Sequence, residues 1–206
     1  MHNKKALILN ESSESYIIAN TQSYDYRQYP EWMDPKWTGS HYTPAGQGFG
    51  HCLVIPKKRI FNIVDPDAVA KDCSVIEELR NHFLAFWQKP ENRDSLEART
   101  KEVFDQQNQK LKDKDGERAA RIISDVTDDY NKMAGGFTRL ETDNFTYGFH
   151  PFPQMSVGHL HLHVFPNEPL LRTYSSRQHD EKTIPFQDVI DVERDCPFKP
   201  DNQQQT

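Results

Sequence analysis

Apolar positions along the chain repeat with two different periods, and the change of period marks the elements. ALIL and SYIIANT are short apolar runs separated by the polar NESSE, a pattern that predicts a hairpin. FGHCLVIP alternates into a third strand, with Phe49, His51, Leu53 and Ile55 on one face and Pro56 at its end. From Ser74 the period becomes helical: Val75, Ile76, Leu79, Phe83 and Phe86 share a face. Ser74 followed by Glu77 reads as a capping box, and the helix runs to about Gln88, ended by Pro90. Residues 94–134 predict further helix, from the Asp94/Glu97 box to a stop at Gly135-Gly136. Their middle, DQQNQKLKDKDGER, has Leu111 as its one apolar residue and predicts a solvated excursion. Ile122, Ile123, Val126, Tyr130 and Met133 then return to the core. TRLETDNFTYGFH and VGHLHLHVF resume as strands, a short helix starts at about Pro185, and residues 196–206 form a disordered tail.

Between the second and third strands, residues 22–48 hold Tyr24, Tyr26, Tyr29, Trp32, Trp37 and Tyr42 among three prolines. So aromatic a connection reads either as a folded flap with a function or as a loop covering an edge of the core. At 206 residues the chain is long enough to bury a substantial core. Its formal charge of −6 argues against a protein dedicated to packaging DNA or RNA. Cys52, Cys73 and Cys196 form no CxxC pair, which fits a reducing compartment and neither a zinc finger nor a disulfide framework. The apolar run at Ala6 to Leu9 is too short for a signal-peptide core, and no stretch approaches the ~18 apolar residues of a membrane span. The expectation is a soluble protein with no membrane partner, in the cytoplasm or else the nucleus.

The chemistry concentrates in VGHLHLHVFPN, where His159, His161 and His163 alternate with leucines. In a strand these imidazoles line one face, while Leu160, Leu162 and Val164 line the other. Three readings compete. A metal site is limited by geometry, because same-face residues stand ~6.6 Å apart along a strand and three cannot easily converge on one ion. A solvent-facing strand with histidines by chance fits poorly, since the chain has only nine histidines. A row along an extended anion uses the spacing best: one neutral imidazole attacks phosphorus while its neighbours hydrogen-bond phosphate oxygens. Three charges in a row repel, so the set should titrate as a coupled group that keeps a neutral member.

These residues resemble the histidine triad (HIT) family, whose pattern His-φ-His-φ-His-φ-φ fits His159 to Phe165 at every position. GHCLVIPKKRI, Gly50 to Ile60, is similar to the family strand that carries a fourth active-site histidine, here His51. The resemblance covers roughly residues 5–90 and 137–195. It leaves the flap at 22–48 and a helical insertion at 91–134 as additions to a single HIT-like domain over residues 1–195. It implies an α+β fold with an antiparallel sheet of about five strands and helices packed on it. It also implies nucleotidyl chemistry at an α-phosphate, with His161 as nucleophile, His159 and His163 on phosphate oxygens, His51 in support and Ser156 near the phosphate or leaving group. No metal or other cofactor is normally needed for that reaction. The family also leaves a homodimer open.

YGFHPFPQMSVGHLHLHV is most similar to the aprataxin branch of the family. By that likeness His150 and His179 are further active-site histidines, and Gln154, Met155 and Ser156 compete for one substrate-contacting position. The branch's active-site lysine is replaced by Gln178, with Arg177 and Lys182 as substitutes, and its zinc finger is absent from this sequence. DNA ends are therefore disfavoured as substrate. The function expected is cleavage of a P–N or P–O–P bond beside the α-phosphate of an adenine nucleotide or nucleotide conjugate. The alternative is a nucleotide-binding or sensing module with little turnover. His2, His41 and His82 receive no role, and Cys52, pointing away from His51, is assigned to the core.

Overall fold

A computed structural model of the chain describes residues 8–20, 48–63, 74–114, 116–152, 157–172 and 182–195. It is an α+β structure built on one antiparallel sheet. Strands β1 (Ile8–Glu11), β2 (Ser15–Ala19), β3 (Cys52–Pro56), β4 (Phe145–Phe149), β5 (Leu162–Pro166) and β6 (Ile184–Pro185) lie in the order β1-β2-β3-β5-β4-β6. Four α-helices accompany them among the described residues: α1 (Ser74–Trp87), α2 (Pro90–Lys114), α3 (Gly116–Phe137) and α4 (Phe186–Asp195). The sheet therefore has one strand more than the five expected, because the two residues of β6 pair with Gly148 and Phe149.

Cross-strand register sorts the side chains onto two faces. Ile17, Val54 and Leu162 form one row, and Ala19, Cys52, Val164 and Tyr147 the next. All of these except Tyr147 are buried, and α1 covers them with Ile76, Leu79, Phe83, Phe86 and Trp87. Phe83 meets Phe145 at 5.1 Å and Trp87 meets Phe145 at 4.7 Å, both edge-on. Burying each such ring contributes about 2–3 kcal/mol. Burial raises the Cys52 thiol well above its ordinary range, so it stays protonated in the core. The other face carries Ile18, Leu53, His163 and Gly148 in one cross-strand row.

Helix α1 matches its predicted span, and its inner face also takes in His82. That ring is 9 % exposed. Its Nδ1 lies 2.6 Å from Ser15 Oγ and its Nε2 2.9 Å from Asn10 Oδ1, so the histidine ties α1 to the β1–β2 turn.

The long helical region departs from expectation at both ends. Pro90 starts α2 rather than merely ending α1, as suits a residue whose missing N–H costs nothing in a first turn. Gly135 and Gly136 lie inside the last turn of α3, which runs on to Phe137. The region is two helices, not one, and the polar middle is not wholly solvated: Gln107 and Asn108 are buried. They extend a helical stripe that begins at Leu96, Thr100, Val103 and Phe104. Tyr130 and Met133 return to the core as predicted; the side chains of Leu111, Ile122 and Val126 lie outside the described residues. Phe104 stacks on Tyr130 at 4.7 Å, and both rings meet Phe49, two residues before His51. Helices α2 and α3 are thereby joined to the turn that carries His51 into β3. None of the described helices is long and apolar enough to cross a membrane.

Candidate functional site

The alternating histidines do not all lie in a strand. Strand β5 begins at Leu162, so His163 alone is a strand residue, and His159 and His161 sit on the approach to it. The expectation that three imidazoles project in parallel from one strand face is corrected accordingly. His161 turns back on its own backbone: its Nδ1 lies 2.7 Å from the carbonyl oxygen of His159. A carbonyl only accepts, so His161 donates from Nδ1–H, and in the neutral ring Nε2 keeps its lone pair. His159 in turn donates from Nε2–H to the Pro56 carbonyl at 2.9 Å, which anchors this segment to the end of β3.

Tertiary structure brings two further histidines to His163. His51 Nε2 stands 3.1 Å from His163 Nδ1, with the two rings stacked at 5.2 Å between centroids. His150, immediately after β4, puts its ring 3.8 Å from that of His163, and His161 lies at 4.6 Å. His51, His150 and His163 are buried; His159 and His161 are half-buried.

Hydrogen-bond logic assigns the protons along this chain of rings. The Asn20 side-chain amide lies 2.9 Å from His51 Nδ1 through Nδ2, which only donates. His51 Nδ1 is therefore the acceptor and its Nε2–H donates to His163 Nδ1, which leaves the proton of neutral His163 on Nε2. The assignment follows the amide orientation, oxygen away from the ring. His161 itself is held below its ordinary pKa, chiefly by burial, with the charges of His159 and Lys182 acting in the same direction and its bond to the His159 carbonyl opposing. Lys182 is half-buried and is also held below its ordinary pKa by desolvation.

Glycines make the approach possible. Gly48 and Gly50 have φ of 101° and 73°, in the left-handed region, and turn the chain sharply into His51. This turn breaks the alternation upstream, so Phe49 points to α2 and α3 rather than continuing the His51 face. Gly148 lies directly opposite His163 in the register. A Cβ there would stand 2.4 Å from Thr183 Cγ2, so the bare position lets the β6 segment close over the cluster. Thr183 Oγ1 then meets His150 Nε2 at 3.0 Å, and Lys182 is its chain neighbour.

Of the residues expected in the site, His51, His150, His161 and His163 come together and His159 adjoins them. Gln154, Met155, Ser156, Arg177, Gln178 and His179 lie outside the described residues, as do the flap up to residue 47, Cys73, Cys196 and the tail. Sequence reasoning missed Asn20 and Thr183. Asn20 carried a signal: Ala19 pairs with Cys52, so a correct register puts Asn20 across from His51, and its backbone N–H donates to the His51 carbonyl at 3.0 Å. Arg172 over the Phe165 ring, at 4.3 Å, was also missed; Phe165 stands edge-on to His51. Among the described residues, no three His, Cys, Asp or Glu side chains are grouped to hold a metal ion. No protein-family model, no curated protein and no solved structure matches the chain.

Proposed function

We propose that the chain is a nucleotide hydrolase or nucleotidyltransferase of the histidine triad type, acting at the α-phosphate of an adenine nucleotide through His161. The observation that carries this reading is the state of His161. Its Nδ1–H is committed to a backbone carbonyl and its basicity is depressed by burial, so a neutral ring offers Nε2 as nucleophile near pH 7. In the first step Nε2 attacks phosphorus, an Nε2–P bond forms, and the P–O or P–N bond to the leaving group breaks. The departing group takes the electron pair and a proton from the surrounding imidazoles or solvent. In the second step water attacks phosphorus, the Nε2–P bond breaks, and the nucleoside monophosphate leaves. Lys182 supplies positive charge near His161 as charge develops on the phosphoryl oxygens. The antiparallel sheet with α1 packed on one face and the contact of His51 with His163 agree with the HIT-like fold and support that reading.

The test is intact mass after exposure to adenosine 5′-phosphoramidate, dinucleoside polyphosphates, cap analogues and adenylated DNA. A nucleotidyl adduct that disappears in His161→Ala, together with release of a nucleoside monophosphate, is the expected result. Turnover that survives His161→Ala, or that needs added metal and stops with chelator, overturns the covalent mechanism. Tight nucleotide binding without turnover across the panel would make the protein a sensor on the same fold.

A further inference from the structure

Strand β6 is two residues long, yet it fixes a threonine beside the histidine cluster. Its ladder with β4 pairs Gly148 with Pro185 and Phe149 with Ile184, so the next opposed pair is His150 and Thr183. Helix α4 anchors the segment on its other side, where Phe186 stacks on Phe149 at 6.4 Å and Val189 and Ile190 are buried. The two branches of Thr183 then face different neighbours. Cγ2 fills the space over Gly148, where a Cβ would come within 2.4 Å of it, and Oγ1 lies 3.0 Å from His150 Nε2. Both branches leave one Cβ, so seating the methyl fixes the direction of the hydroxyl.

We propose that Thr183 is a positioning residue for nucleotidyl transfer: it holds His150 against His163 and so fixes the imidazole that packs beside His161. This rests on the nucleotidyl-transfer reading above. Three observations carry it. The His150 ring is buried and stands 3.8 Å from His163, which in turn meets the His161 ring at 4.6 Å. Asn20, His51, His163, His150 and Thr183 form one line, a residue from or next to each of β2, β3, β5, β4 and β6 in the order of the sheet. A neutral side chain closes each end of that line, so neither end adds a negative charge that would repel a phosphate. The two ends also differ. The Asn20 Nδ2 amide only donates and fixes one tautomer of His51, whereas a hydroxyl both donates and accepts and holds His150 in either protonation state.

The experiment pairs Thr183→Val, which keeps the shape and the methyl and deletes the hydroxyl, with Thr183→Ser, which keeps the hydroxyl. Single-turnover reaction with adenosine 5′-phosphoramidate and with diadenosine tetraphosphate should slow about tenfold in Thr183→Val, the scale of one oriented hydrogen bond. Substrate affinity should stay within about twofold, and Thr183→Ser should recover the rate to within about threefold. Nitrogen NMR of labelled histidine should show the His150 Nε2 signal displaced in Thr183→Val and restored in Thr183→Ser, a change that loss of packing alone would not produce. A single-turnover rate within twofold of wild type in Thr183→Val overturns the role in transfer, and an unchanged His150 signal overturns the hold on the ring. The spectra need no substrate, which separates the two readings. Wild-type protein that turns over neither substrate removes the hydrolase and with it the role of Thr183 in transfer, while the spectra still decide whether Thr183 holds His150. Turnover that Thr183→Val leaves at the wild-type rate removes the positioning role and keeps the hydrolase.

Discussion

Two histidine networks flank the same sheet and use the same side chain in opposite ways. On the helix side, His82 receives a hydrogen bond from Ser15 Oγ at Nδ1 and gives one to Asn10 Oδ1 from Nε2. Ser15 Oγ also lies 3.1 Å from Glu78 Oε1, a second acceptor competing for its one hydroxyl proton, and the cluster holds a helix and a turn together. On the other side, His51, His150, His161 and His163 meet ring to ring. His161 donates from Nδ1–H to the carbonyl of His159, which in the neutral ring leaves Nε2 as an acceptor. Burial opposes protonation at both His82 and His161, with Lys57 adding to the effect at His82. Burial alone therefore does not distinguish a structural histidine from a reactive one. What differs is the second nitrogen: Nε2 of His82 is held by Asn10 Oδ1, whereas Nε2 of His161 is the atom that the proposed reaction uses as nucleophile.

The sharpest way to break this comparison is to remove each ring in turn. His161→Ala should lower turnover by about a thousandfold or more, as loss of a covalent nucleophile does, while the Tm stays close to wild type. Single-turnover assays beside thermal melts check it, and a large loss of stability would place His161 with His82. The converse variant, His82→Ala, should cost about 2–4 kcal/mol in urea unfolding, from lost packing and from the lost hydrogen bonds to Ser15 and Asn10. Its kcat/KM should stay within about threefold, and a collapse in activity at unchanged stability would refute the division of roles. A smaller effect is expected at Asn20, which sets the His51 tautomer: Asn20→Leu should reduce kcat/KM about tenfold, a scale comparable with losing one oriented hydrogen bond at a site. The same variant should change the imidazole tautomer signals of His51 in nitrogen NMR, which loss of packing alone would not do.

The smallest effect concerns pH. His82 and His161 both have folded-state pKa values below the ordinary 6.5. At and below that pH the unfolded chain binds more protons than the folded one, so stability rises with pH there. The stabilising contribution should be fully present above about pH 6.5 and lost as pH falls through the folded-state values. Urea midpoints between pH 7.5 and 5 measure it, and the slope should be shallower in His82→Ala. A midpoint that rises on acidification would contradict the burial of both rings as neutral species.

Local chemistry that acts within a few residues was readable from the chain. The α1 stripe from Ile76 to Phe86, the β1–β2 hairpin and the alternation of β3 each need only a period and a turn. The spacing of His159, His161 and His163 marked the segment that enters the histidine cluster for the same reason. Tautomers and contacts across strands were not readable, because they depend on register. Asn20 reaches His51 only because Ala19 pairs with Cys52, and His150 reaches His163 only because β4 lies beside β5 with Gly148 at the crossing. Polar residues buried by a second helix also escaped, since Gln107 and Asn108 look solvated until α3 packs beside α2.

By itself, then, the sequence determined which segments would form strands and helices and placed a dense run of imidazoles next to an apolar strand, because hydrophobic periodicity and residue identity are local properties. The tertiary structure alone decided which imidazoles meet, which nitrogen of His161 stays unprotonated, and that His82 is a strut rather than a reagent. Those outcomes turn on hydrogen-bond directions and burial, and both exist only once distant segments are packed together.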